Sequence, residues 1–174
     1  MHMSSGSCEI VTKLQKSGFD AFLVGGCVRD ALLGLNPKDF DIATNANPKE
    51  IKLLFNRAKI IGRRFQIVHV QLNREIIEVT TFRSNQKHHC SDHLRHQTKT
   101  GMLTRDNVFG SIKDDANRRD LSINALYYNP SDNSIHDFLD SLTDIKKNII
   151  RIIGDPTVRF KEDPVRLLRV IRFS

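Results

Sequence analysis

Short apolar blocks separated by polar punctuation run from the N-terminus to Phe82, and their period changes from block to block. Residues 21–24 form a continuous apolar run of strand length, and residues 27–33 carry a helical pattern stopped by Gly34. Residues 40–43, entered at Asp39, read as a second strand. Asn47, Pro48 and Glu50 supply an N-cap, a proline at the first helical position and an acid at the third. The helix they start is predicted to run to about Asn56, with Ile51, Leu54 and Phe55 on one face. Residues 59–61, 65–72 and 75–82 are strand candidates, the last two joined as a hairpin around Asn73.

The pattern lapses over residues 84–107. This stretch is polar, carries His88, His89, His93 and His96, and shows neither helical nor strand period, so it is expected to be the most mobile part of the chain. Beyond it, residues 111–118 read as helix, and residues 123–128 fit either a continued helix or a strand. Residues 134–138 and 149–153 are short strand candidates, and Asp155-Pro156 reads as a break. Asp163-Pro164 starts a last helix, with Val165, Leu168 and Ile171 or Arg172 at helical spacing. The chain ends at Ser174 inside that amphipathic pattern, which predicts further helical structure beyond it. Residues 1–7 read as an expression scar or a loose tail.

Composition narrows the class. The 174 residues, 39% hydrophobic and 27% charged, suffice for a globular domain with a real core. No apolar run approaches the roughly 20 residues needed to span a bilayer, so no membrane partner is expected, and the N-terminus lacks a signal-peptide pattern. Cys8, Cys27 and Cys90 are odd in number and widely spaced, which points to a reducing compartment and a cytoplasmic location. The net charge of +7 suits a polyanionic partner without choosing one.

Candidate chemistry begins at Gly25-Gly26, Arg29-Asp30 and Asp39-Phe40-Asp41. A strand ending in two glycines before a helix lets backbone approach a phosphate closely. Asp39 and Asp41, two apart on a strand, point to one face, where paired carboxylates can hold hard divalent cations such as Mg²⁺ or Mn²⁺. The bland alternative is a solvated strand edge. Glu78, in the otherwise apolar Ile76-Ile77-Glu78-Val79, is favoured over Glu75 as the third carboxylate. Arg118 and Arg119 are permanently charged planar donors suited to triphosphate oxygens. Asp120 and Asn124 share a face if their segment is helical; a surface ion-pair cluster is the alternative. Asp163 and Arg166, one turn apart, offer an acceptor and donors for a base edge, although Asp163 is also a good N-cap. Zinc binding by Cys90 and the neighbouring histidines is set below RNA contact by that loop. Cys27 reads as an apolar filler and His69 as a packed strand residue.

These motifs carry a resemblance. Residues 23–44 (LVGGCVRDALLGLNPKDFDIAT) resemble the first motif of the DNA polymerase beta-like nucleotidyltransferase superfamily, in the branch of bacterial poly(A) polymerases and CCA-adding tRNA nucleotidyltransferases. Residues 118–125 (RRDLSINA) resemble that branch's second motif, which helps select ribose, and Glu162-Asp163-Pro164-Val165-Arg166 with Arg169 resembles the motif that reads the incoming base. The similarity spans about residues 19–174. It implies an α+β polymerase beta-like fold, a mixed sheet of about five strands with helices largely on one face. It also implies a head over residues 19–153, preceded by a tail and first helix over 1–18 and followed by the start of a helical neck at 154–174, with further neck and body beyond. Asp39, Asp41 and Glu78 would be catalytic, the two aspartates as metal ligands. Gly25, Gly26, Arg29, Arg118, Arg119, Asp120, Asn124, Glu162, Asp163, Arg166 and Arg169 would bind nucleotide. The implied reaction adds AMP from ATP to an RNA 3′ end with Mg²⁺. Residues 101–111, residues 150–166 and His88-His89 resemble the poly(A) polymerase versions of those segments, so that reading leads. The rivals are a CCA-adding enzyme and a non-catalytic nucleotide- or RNA-binding module.

Overall fold

The computed structural model describes residues 3–62, 66–84 and 109–174, together with the backbone of residues 95–97 and 103–106. Helix α1 (Ser5–Lys16) is capped by the Ser4 hydroxyl, which accepts from the Ser7 amide at 3.0 Å. Gly6, Ser7, Ile10, Val11 and Leu14 are its buried face. Residues 4–7 are therefore a docked helix start, not a tail. Ser4 Oγ donates to Glu75 Oε2 at 2.8 Å, and that carboxylate lies where a Cβ on Gly6 would stand, 2.5 Å away.

Strand β1 (Ala21–Val24) leads into α2 (Gly26–Leu32), then β2 (Asp41–Thr44) and α3 (Pro48–Leu54). The predicted capping box at α3 is present, with Asn47 accepting from the Glu50 amide at 3.1 Å and Glu50 accepting from the Asn47 amide at 2.7 Å. Strands β3 (Ala58–Ile61), β4 (Ile67–Leu72) and β5 (Glu75–Thr81) follow, with Asn73 taking positive φ at the β4–β5 hairpin. Within residues 84–107 the described backbone forms a two-stranded antiparallel ribbon, β6 (Arg95–Gln97) with β7 (Leu103–Asp106), bulged at His96/Gln97, although the sequence showed no strand period there. The expected mobility and zinc ligation of that stretch, including His88, His89, Cys90 and His93, lie outside the described residues.

Helix α4 (Ile112–Arg118) ends before a 3-10 turn (Ser122–Asn124), and β8 (Leu126–Asn129), β9 (Ser134–Asp137), α5 (Ser141–Lys147), α6 (Pro156–Glu162) and α7 (Val165–Phe173) complete the chain. The ambiguous segment 123–128 thus divides between turn and strand. Residues 149–153 are not a strand; only a lone bridge joins Ile152 to Leu121. Asp155-Pro156 does not break the chain but starts α6, with Asp155 as N-cap and Pro156 at the first helical position.

The sheet has seven strands rather than about five, in the order β3-β4-β5-β2-β1-β8-β9, and only the β2–β5 pair is parallel. Strand alternation sorts two faces. Leu23, Ile42, Val68, Val70, Ile77, Val79 and Leu126 meet Ile10, Val11, Leu14, Val28 and Ile51 in the main core beneath α1, α2 and α3. Each fully buried large apolar side chain there is worth about 1.5–3 kcal/mol. The opposite face has a smaller core, Val24, Ala43, Phe82, Ala116 and Tyr127, under α4. Asp41 and Glu78 sit beside it, on the part of that face left open. No helix among the described residues is long and apolar enough to cross a membrane.

Candidate active site

Four segments converge where β1 turns into α2. Gly25 adopts φ 83°, ψ −135°, a conformation that only glycine takes readily. A Cβ at Gly25 would stand 3.8 Å from Arg119 Nη1, 3.9 Å from the Asn124 carbonyl oxygen and 4.0 Å from Asp41 Oδ2. The double glycine, the first carboxylate of β2, the end of α4 and the 3-10 turn thus share one small space. Asp41 opens β2 and pairs in register with Glu78 across the parallel β2–β5 ladder. Asp39 precedes the strand, which starts two residues later than the sequence predicted, yet it remains electrostatically coupled to Asp41.

The charges here are unbalanced. Although Asp41 is open to solvent at its outer edge, protein atoms crowding its carboxyl raise its pKa. Glu78 raises it further, Arg119 opposes, and Asp39 adds to the rise. Carboxylates that repel one another on a solvent-facing surface are a donor set for a hard divalent cation. Among the described residues no three His, Cys, Asp or Glu side chains are gathered as a ready-made metal cage. Glu75 lies on the opposite face, bonded to Ser4, which separates it from Glu78. His69 is more than a packed strand residue: its Nε2 lies 3.4 Å from Glu78 Oε1, buried and without a hydrogen bond.

Arg118 and Arg119 are both held by one buried carboxylate. Asp115, 1% exposed, accepts from Arg118 Nε at 3.1 Å through Oδ1, and from Arg119 Nε and Nη2 at 3.2 and 3.0 Å through Oδ2. Tyr127 Oη donates to the same Oδ2 at 2.8 Å and accepts from Arg119 Nε at 3.0 Å. Burial alone would raise the Asp115 pKa, but Arg119 and Arg118 hold it down at about 2. From α6, the buried Arg159 donates through Nη2 to the Arg118 carbonyl and, at 2.7 Å, to the Arg119 carbonyl.

The chain as a whole is similar to known proteins. Residues 21–151 match the family model described as "Poly A polymerase head domain". The chain belongs to that family. It is 51% identical over 171 residues to poly(A) polymerase I of Haemophilus influenzae, covering 98% of this chain and 38% of the relative. It is 38% identical over 165 residues to the CCA-adding enzyme of Limosilactobacillus fermentum, covering 95% of this chain and 39% of the relative. Among solved structures, a Bacillus stearothermophilus CCA-adding enzyme in complex with CTP aligns with a TM-score of 0.80 and 32% identity, over 98% of this chain and 39% of that one. The chain spans less than two fifths of the length of these relatives.

Within this head-domain fold the other sequence-predicted residues are placed unevenly. Arg29 donates to Asn124 Oδ1 at 2.6 Å and to Asp30 Oδ1, and its guanidinium stacks 4.6 Å from the Phe173 ring centroid. It ties α2 to the 3-10 turn and α7, with Gly26 against its Nη2. Asp120 and Asn124 do not share a helical face, because α4 ends at Arg118; Asp120 instead accepts from Arg169 Nη1 at 2.8 Å. Glu162 accepts from Arg159 at 2.8 Å and from Arg166 at 3.1 Å, so Arg166 is buried against α6. Asp163 links α6 to α7 and accepts from the Val165 amide at 3.2 Å. The sequence reading missed Asp115 and Arg159. For Asp115, the available signal was an acid three and four residues before two arginines.

Proposed function

We propose that this chain is the catalytic head of an RNA 3′-end adenylyltransferase acting in the cytoplasm. Residues 19–153 form the head, and residues 154–174 begin a helical region. The observation that carries the reading is the meeting of Gly25, Asp41, Arg119 and Asn124 beside Glu78. A glycine turn, acceptors for a hard cation and a guanidinium in one space suit a nucleoside triphosphate and its metal. The 51% identity to a poly(A) polymerase I favours ATP and RNA as substrates.

In this reading the RNA 3′-oxygen forms a bond to the α-phosphorus of ATP. The bond from that phosphorus to the α–β bridging oxygen breaks, and pyrophosphate leaves. Asp39 and Asp41 would hold Mg²⁺, which supplies Lewis-acid stabilisation of the phosphoryl oxygens when bound. Arg119 Nη1, with no hydrogen-bond partner among the described residues, faces the outer phosphates. Gly25 keeps the approach free of a side chain. Glu78 is the candidate acceptor of the 3′-hydroxyl proton, with His69 behind it. Asp163 and Arg166, at the α6–α7 junction, are the candidate base readers. Positioning and electrostatics supply most of the rate.

A CCA-adding activity is the second reading, favoured by the 38% identical relative and by the CTP-bound neighbour. Asp41→Asn and Asp39→Asn in the natural protein test the shared chemistry. Each should lower Mg²⁺-dependent nucleotide addition by at least about a hundredfold while leaving the fold intact. Undiminished addition in either variant contradicts the proposed site.

A further inference from the structure

Arg119 does not position itself. Its side chain leaves the end of α4 and must reach across to Gly25, and a free arginine carries about 2 kcal/mol of rotamer entropy that opposes any one pose. Here one edge is already held. Nε and Nη2 both donate to Asp115 Oδ2, Nε also reaches Tyr127 Oη, and the guanidinium carbon lies 5.3 Å from the Tyr127 ring centroid. This leaves Nη1 as the outward nitrogen, 3.8 Å from the Cβ position of Gly25.

The holders are themselves rigid. Tyr127 is fully buried on β8 and packs edge-on against Phe22, Phe82 and Phe138. Asp115 is buried on α4, and its other oxygen accepts from the Arg83 amide and from Arg118 Nε, both at 3.1 Å. Burying a carboxylate this deeply is costly and is offset only by a full set of donors. An apolar residue would pack α4 against the sheet without that cost.

We propose that Asp115 and Tyr127 are positioning residues for the incoming nucleoside triphosphate, acting through Arg119 to present Nη1 to its outer phosphates beside Asp41. This rests on the nucleotidyltransferase reading above. It adds that affinity for the β- and γ-phosphates is set from behind, by a buried carboxylate–phenol pair that never touches substrate.

The test measures ATP and AMP binding to the natural protein carrying this chain, with Mg²⁺, for Tyr127→Phe, Asp115→Asn, Arg119→Ala and the double variant Arg119→Ala/Tyr127→Phe. Tyr127→Phe keeps the buried ring and removes only the hydroxyl, so it stays informative if Asp115→Asn fails to fold. The expected result is ATP binding weakened about tenfold in Tyr127→Phe, the scale of one hydrogen bond to a charged group, with AMP binding unchanged. In the Arg119→Ala background, Tyr127→Phe should cause no further loss, because its effect runs through the missing guanidinium. A general packing role would weaken ATP and AMP alike and would add to Arg119→Ala; either outcome overturns the proposal. If Arg119→Ala weakens ATP binding but Tyr127→Phe does not, the positioning inference fails while Arg119 keeps its phosphate role. If Arg119→Ala leaves ATP binding intact, that role fails and the inference falls with it.

Discussion

Arg159, on α6, supplies bonds that close another helix, and its removal should cost the fold those bonds. It is 5% exposed, and its stem packs on Gly154, where a Cβ would lie 3.6 Å from its Cδ. Its Nη2 donates to the carbonyls of Arg118 and Arg119, which close the C-terminal end of α4, and its Nη1 donates to Glu162. It therefore caps, from another helix, carbonyls that α4 cannot satisfy itself, and it puts positive charge at the negative end of the helix. Arg159→Met keeps most of the stem and deletes these bonds. Three charged hydrogen bonds at the low end of about 1.5 kcal/mol each are lost, and relief of the buried, unpaired Nε returns about 1–2 kcal/mol. About 3 kcal/mol of net destabilisation remains, because Glu162 keeps Arg166 as a partner. At about 2–4 °C per kcal/mol for a chain of this size, the thermal midpoint should fall by about 6–12 °C. Urea and thermal unfolding followed by circular dichroism give the number. The double variant Arg159→Met/Glu162→Gln should show coupling of at least about 0.5 kcal/mol. A loss under about 1 kcal/mol for Arg159→Met would refute the capping argument.

Two further outcomes follow from buried ionisable groups. The folded-state pKa of Asp115, about 2, lies below its ordinary 3.8, so it contributes stability that is fully present above the unfolded value and lost as pH falls through the folded one. This is about 2.5 kcal/mol, lost chiefly between about pH 4 and pH 2. Asp115→Asn should flatten the urea midpoint against pH in that window, leaving the slope from Asp120, Asp132 and Asp137, whose pKa values are also lowered; an unchanged slope would contradict the assignment. Burial pushes the Cys27 thiol up to about 11 from 9.0, so at pH 8 iodoacetamide should alkylate it at least about a hundredfold more slowly in the folded chain than in urea. Equal rates would show that the β1–α2 turn opens readily.

Local signals in the sequence were the legible ones. The Asn47–Glu50 capping box, the β4–β5 hairpin and the apolar runs of β1 and β5 are each written within a few adjacent residues, and all are present. Asp41 and Glu78 were placed on strands by their apolar neighbours, and the sheet aligns those two in register. What the sequence concealed depends on distant partners. Arg159 acts on carbonyls 40 and 41 residues away, and nothing beside it announces them. Asp115 serves the neighbouring arginines, but its other donors, the Tyr127 hydroxyl and the Arg83 amide, come from distant parts of the chain. Ser4 to Ser7 looked like a tail because small polar residues usually are; here Ser4 caps α1 and bonds to Glu75 of β5, a partner 71 residues away. The condition under which Asp120 and Asn124 would share a face, a helical segment, is not met: a 3-10 turn follows α4, and spacing of four has meaning only where the helix continues.

The central claim is that these carboxylates and arginines transfer AMP to RNA. The most direct measurement incubates the natural protein carrying this chain with Mg²⁺ and each nucleoside triphosphate separately, on an unstructured RNA primer and on a tRNA lacking its 3′ CCA. The account predicts a ladder of added residues on the RNA primer with ATP and little addition with CTP, GTP or UTP. Incorporation limited to completing CCA on the tRNA from CTP and ATP, or no addition to either RNA, would contradict it.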